Sequence, residues 1–215
     1  NLKGKFTVSP KGITCRSMRV ETEESDLRLY ASIKTDSWKT YSYFIDSADC
    51  FLFLQRGSKV GMKDATYWAP MLKGFDQKCE IGAIIKGTVA DAKCSFLEMK
   101  TGDTYIKGKG SVKGLPNIEE TVFDVELSEL KSSSQDFNQI QFGGMLSDVK
   151  LPELLNSLGE ISMTADFKGL LHNFEANAKI STAIGVVDLT GKSTRENPQD
   201  NITYYKGDIS QKEVL

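Results

Sequence analysis

The 215-residue sequence predicts a mainly β fold, a long curved antiparallel sheet of repeated strand units with one or two short helices. Three observations point there. Apolar and polar residues alternate with a period of two through most of the chain. A strand pattern occurs twice, about 80 residues apart. Helical periodicity is scarce. Alternation that leaves one face wet marks antiparallel sheets, and the short connections leave no room for βαβ crossovers.

Phe6–Ser9 and Ile13–Glu21 read as strands around the turn Pro10-Lys11-Gly12. Leu27, Leu29, Ala31 and Ile33 then alternate with Arg28, Tyr30, Ser32 and Lys34. Tyr41–Asp46, Cys50–Gln55 and Ser58–Met62 follow as strands, with Gly57 as a turn. Asp64–Leu72 reads as a short helix that Asp64 could cap and Pro70 would limit. The first repeat copy runs Glu80-Ile81-Gly82-Ala83-Ile84-Ile85-Lys86-Gly87, then Phe96–Met99, the turn Thr101-Gly102, Thr104–Gly108, Gly110 and Pro116. Phe123, Val125 and Leu127 alternate with Asp124, Glu126 and Ser128. Leu151–Leu158 reads as a second short helix, with Pro152 in its first turn and Gly159 just past its end. The second copy runs Glu160 to Gly169, then Phe174–Ile180, Thr182, Gly185, Gly191 and Pro198, and Ile202–Ile209 is the last strand. The approximate units are 1–79, 80–159 and 160–215, the last incomplete. With no initiator Met and no signal peptide, the expectation is an internal piece of a longer protein.

Composition excludes several classes. Hydrophobic residues are 40% and charged residues 26%, an ordinary globular balance with enough chain for a sizeable core. A net charge of −2 without a basic run argues against nucleic acid. The longest apolar run, Phe51 to Leu54, is far short of the roughly 20 residues that span a bilayer. Cys15, Cys50, Cys79 and Cys94 lack metal-site spacing, and His172 is the one histidine, so no metal or cofactor is expected. Two readings of the cysteines stand: four half-buried strand thiols, or one disulfide between Cys79 and Cys94, which flank the strand Ile81–Val89.

Catalytic signals are weak, and the chain reads as a non-enzyme. His172 falls in a turn and reads as a solvated loop residue; no local signature supports a Cys–His pair. Asp124, Glu126, Asp166 and Glu175 could be glycosidase-like pairs, but all lie on the polar phase of strands, as a solvated outer face would have them. The glycines of Gly108 to Gly114 suit bends in a curved sheet better than a phosphate cradle. Trp38, Tyr41, Tyr43, Phe44, Phe51 and Phe53 form either a core cluster or the wall of a hydrophobic groove.

Several segments resemble the AsmA/TamB superfamily. Lys109-Gly110-Ser111-Val112-Lys113-Gly114-Leu115-Pro116-Asn117-Ile118, followed by Phe123 to Leu127, is similar to its recurring G-x-(apolar)-x-G-L step. Asp64 to Pro70 resembles its D-L-x-x-F-A-P segment, and Leu158 to Gly169 with Ile180 to Gly185 its L-G … L-x-T-x-x-G run. The resemblance implies a half-pipe with an apolar interior, in a periplasmic protein anchored in the inner membrane by a helix outside this sequence. It implies phospholipid transport between the inner and outer membranes, outer-membrane protein assembly, and a TamA-like outer-membrane barrel partner reached through other parts of the parent. Phospholipid acyl chains would then lie on Leu27, Leu29, Ile33, Ile81, Ile85, Phe123, Val125, Leu127, Ile161, Met163, Phe167, Phe174, Ala176, Ala178 and Ile180. These residues could equally form a closed core. The alternative is a closed β-sandwich scaffold that binds protein clients by its surface or its sheet edge.

Overall fold

The computed structural model describes residues 1–65, 78–133, 136, 159–195 and 204–213. Twelve strands account for most of them: β1 Leu2–Ser9, β2 Gly12–Glu21, β3 Asp26–Lys34, β4 Asp49–Gly61, β5 Lys78–Gly87, β6 Asp91–Thr101, β7 Thr104–Lys113, β8 Val122–Ser133, β9 Glu160–Leu170, β10 Asn173–Thr182, β11 Gly185–Thr194 and β12 Tyr204–Glu213. They form one curved sheet in sequence order, each strand antiparallel to its neighbours. β1 pairs only with β2 and β12 only with β11, so the sheet is open at two edges. The closed sandwich is therefore corrected to an open single sheet.

Two expected elements change. Tyr41–Asp46 is not a strand: Trp38–Tyr43 is a 3₁₀ turn and Phe44–Ser47 a helical turn, α1. The reason is topological. Lys34 pairs directly with Asp49, so both sides of β3 are already taken and the chain between finds no strand partner. It satisfies itself locally instead, with the Ala48 N–H on the Phe44 carbonyl at 3.2 Å and the Ser47 hydroxyl on the Tyr43 carbonyl at 2.6 Å. The second change is at Gly57, which is not a turn. β4 runs through it, and Gly57 adopts a φ of +77° inside a bulge. The expected helix Asp64–Leu72 begins earlier, as α2 Met62–Ala65, and its remainder lies outside the described residues, as does all of Leu151–Leu158.

Connector lengths divide the sheet into three blocks of four strands, β1–β4, β5–β8 and β9–β12. Within each block the first two connections are short, and the third, at the rim opposite the start of β1, is longer. The breaks between blocks, from the end of β4 to the start of β5 and from the end of β8 to the start of β9, both fall at the other rim. The first copy of the sequence pattern falls on β5–β7 and the second on β9–β11.

An aspartate three residues beyond β4, and another three residues beyond β8, hold the preceding hairpin turn. Asp64 accepts hydrogen bonds from the hydroxyls of Thr22 at 2.6 Å and Ser25 at 2.5 Å. Asp136 accepts one from the Asp103 N–H at 2.6 Å. Asp64 thus anchors another turn rather than capping its own helix. The hydrogen bonds from Ser25 and then Thr22 hold its carboxyl below the ordinary aspartate range. A depressed carboxylate stabilises the fold above its unfolded value and stops doing so as pH falls through its folded one. Melting temperatures followed from neutral to strongly acid pH should fall less steeply in Asp64→Asn than in the native chain. An unchanged acid profile would remove the clamp from the stability argument.

Candidate functional site: an uncharged sheet face

Cross-strand partners point to the same side of a sheet, so the register assigns every strand residue to a face. One face is apolar from β1 to β11. Leu2, Phe6 and Val8 on β1 lie over Val20, Cys15 and Ile13 on β2. Leu29, Ala31 and Ile33 pair with Leu54, Leu52 and Cys50, and Leu52 and Leu54 pair in turn with Ile85 and Ala83. Met99 and Ile106 continue the face, as do Leu130 with Met163, Phe167 with Ala176, and Ala178 with Leu189. No Asp, Glu, Lys or Arg stands on this side of any of these eleven strands. The opposite face carries the charge, in cross-strand pairs such as Lys109–Glu126 at 2.9 Å and Lys192–Glu175 at 2.8 Å.

Strict alternation would not keep the face clean. Counting by twos from Cys15 would bring Arg19 inward; from Leu54, Arg56; from Cys94, Glu98 and Lys100; from Leu127, Glu129 and Lys131. Each of these strands carries a bulge at that place, between Cys15 and Met18, Leu54 and Ser58, Cys94 and Leu97, and Leu127 and Leu130. One extra residue resets the phase in β2, β6 and β8, so Met18, Leu97 and Leu130 take the inward positions; in β4 two extra residues let Arg56 turn out without changing the phase, and Ser58 stays inward. Arg19 turns outward onto Asp26 at 2.8 Å. Arg56 turns outward too, 4.6 Å over the Phe96 ring and 3.1 Å from Glu98. The four bulges sit near mid-strand in β2, β4, β6 and β8, where they also bend the sheet.

The apolar face is only half buried. The buried apolar side chains among the described residues are Ala48, Cys79, Ala83, Leu130 and Ile161, whereas Phe6 is 49% and Val125 40% exposed. The dominant tertiary contacts run between neighbouring strands of the one sheet. Twelve strands at ~4.8 Å spacing make the face roughly 50 Å long.

The fifteen residues singled out from the sequence all fall on this face. Leu27, Leu29 and Ile33 lie on β3; Ile81 and Ile85 on β5; Phe123, Val125 and Leu127 on β8; Ile161, Met163 and Phe167 on β9; Phe174, Ala176, Ala178 and Ile180 on β10. The Phe167 and Phe174 rings stack with centroids 4.8 Å apart. Sequence reading missed Leu2, Phe6 and Val8 on the short edge strand. It also missed Met18, Leu97 and Leu130, whose phase is broken by the bulges.

The other sequence candidates fall elsewhere. All four cysteines are free and on the apolar face. Cys94 lies opposite Ile85, six residues along β5 from Cys79, so about 20 Å separates the two and no disulfide can join them. Burial pushes the Cys50, Cys79 and Cys94 thiols up, which makes them poor nucleophiles. His172 sits in the β9–β10 turn, strands away from every cysteine, with Nδ1 3.7 Å from the Glu119 carboxylate and no hydrogen-bond partner. Glu126 and Asp166 oppose each other, but on the charged face, held by Lys109 and Asn177. Phe51 and Phe53 are also on that face, where Phe51 meets Tyr30 edge-on, so they belong neither to a core nor to a groove wall. Trp38 and Tyr43 are exposed. Among the described residues no group of His, Cys, Asp and Glu is placed to hold a metal ion.

Comparison with protein-family models, curated proteins and solved structures finds no match to this chain.

Proposed function

We propose that the chain is a lipid-conducting segment of a TamB/AsmA-like cell-envelope protein, with phospholipid acyl chains lying along the apolar face and headgroups in water at its rims. The observation that carries this reading is an uncharged face, half exposed, continuous over eleven strands. Contiguous apolar surface of this extent marks a binding surface. Each buried CH₂ contributes about 0.8 kcal/mol, so a chain gains affinity from many weak contacts and can slide without leaving a deep pocket. Fixed charge would trap headgroups, and the bulges keep it off the face.

The setting proposed with this reading is the periplasm, with the parent protein anchored in the inner membrane. Its other parts would meet a TamA-like outer-membrane barrel, in lipid transport or in outer-membrane protein assembly.

Native mass spectrometry with lipid extraction of the same purified sample tests the proposal. Phospholipid at a reproducible ratio to protein is the expected result. A monomer free of lipid overturns it, and a lipid-free dimer would mean that the apolar faces cover each other.

A further inference from the structure

We propose that the charged side of the sheet carries a docking patch for an anionic bilayer surface, centred on β3 to β6. That side is not uniformly polar. Tyr30, Phe53, Ile84 and Phe96 stand opposite one another in register, an apolar row across four adjacent strands, with Phe51 beside it. Phe53 is 40% exposed and the others are half-buried. The outward positions of β8, β9 and β10 hold no aromatic residue.

Cations ring the row. Arg56 lies 4.6 Å over the Phe96 ring and Lys86 5.4 Å over that of Phe51. At the β2 bulge, Arg16 and Arg28 flank a shallow notch walled by Tyr30 and Phe53. Of the acids on this side, Glu98 is held by Arg56 and Asp26 by Arg19, with Arg28 3.8 Å from Asp26. Asp49, Glu80 and Asp91 lie toward the strand ends. Arg16, Lys86 and Lys93 are exposed and make no ion pair among the described residues. Farther along the same side, Lys109, Lys168 and Lys192 are each answered by an acid on an adjacent strand.

Charge and size decide the occupant. β3 to β6 have strand neighbours on both sides, so no polypeptide can add to them as a strand. Three strand spacings make the row roughly 15 Å long, and it is one to two side chains wide, well short of the ~800 Å² per partner that a specific protein interface buries. A fluid layer of anionic headgroups needs neither an edge nor a matched shape. Cations stacked on rings suit it, because the charge stays with the phosphates while the rings lie just beneath. The patch is on the opposite side from the apolar face and does not depend on that face carrying lipid.

Flotation of the intact chain with vesicles of equal parts phosphatidylglycerol and phosphatidylcholine, beside vesicles of phosphatidylcholine alone, tests the patch. Binding to the anionic vesicles that weakens with salt is expected, with little on the neutral ones. Arg16→Glu, Lys86→Glu and Lys93→Glu together should weaken it at least about tenfold, since each cation near such a surface contributes roughly fivefold. Lys179→Glu, Lys206→Glu and Lys212→Glu together make the same charge change on β10 and β12 of the same side, and should leave most of the binding. Phe53→Ser should weaken it severalfold at unchanged charge. These side chains are all exposed, so the variants should keep their circular dichroism. Val125→Asp on the opposite face should bind vesicles like the native chain, so the patch and the groove fail separately. Equal loss in the two triple variants, full binding by Phe53→Ser, loss of binding in Val125→Asp, or equal binding to neutral vesicles overturns the proposal. So does displacement by inorganic phosphate at constant ionic strength, which would make the notch a soluble-anion site. Absence of binding to either vesicle also overturns it, and leaves an acidic protein as the occupant.

Discussion

Phe167→Asp should strip lipid from the protein while leaving the sheet folded. Phe167 lies mid-face between Val125 and Ala176, and its ring stacks on Phe174. Its position is half buried, so an aspartate there can turn its carboxylate toward water. The cost to stability is the lost aromatic contact and apolar area, about 1–3 kcal/mol. The cost to an acyl chain is larger in proportion, because the chain must pass a charge that it cannot solvate. Extracted phospholipid per protein should fall severalfold. Thr164→Asp, three residues earlier on the charged face, should leave it unchanged. Val125→Asp is the safeguard: Val125 is 40% exposed, so a charge there should not unfold the sheet. Full lipid retention in a folded Val125→Asp protein would sink the groove reading. Unfolding of Phe167→Asp and Val125→Asp alike would make the face a core.

The inward residues were legible where alternation is unbroken. β9 and β10 read off the sequence almost completely, because Ile161 to Phe167 and Phe174 to Ile180 keep period two and pair without a bulge. β2, β4, β6 and the end of β8 were less legible. In β2, β6 and β8 the apolar phase of one half-strand is out of step with the next, and in β4 Arg56 interrupts a phase that continues beyond it; only a three-dimensional ladder shows that the extra residues are absorbed. Tyr41–Asp46 misled for a different reason. Its aromatics have high strand propensity, but the sheet offers no vacant edge beside β3, and propensity yields to topology. The Asp64 and Asp136 clamps were invisible, because nothing in a sequence says which distant turn a carboxylate will reach.

Gly87→Ala and Gly169→Ala should each destabilise the chain by about 2–4 kcal/mol, far more than an exposed strand glycine would. These two glycines are the strand-ending matches of the two sequence copies, and the structure shows why no side chain serves there. Gly87 has a φ of +119° and Gly169 of +133°, conformations that L residues rarely adopt. A Cβ on Gly87 would collide with the Asp91 carbonyl oxygen and one on Gly169 with the Asn173 carbonyl oxygen, the latter also lying 2.7 Å from the Phe174 Cα. Those atoms are backbone of the next strand, so they cannot swing aside as a side-chain tip could. To relieve the clash, β5 must part from β6, or β9 from β10, at the hairpin end. Gly191→Ala is the matched control: it too is a β-strand glycine on the apolar face, but its φ is ordinary and its nearest atom is 3.9 Å away. Urea midpoints should drop clearly for the first two variants and hardly at all for the third. In the open sheet each strand is held only by its two neighbours, so a parted hairpin should also interrupt the apolar face, and lipid retention should fall in step with the midpoint. Equal midpoints for Gly169→Ala and Gly191→Ala would show that the hairpin relaxes freely, and the strain argument would fail.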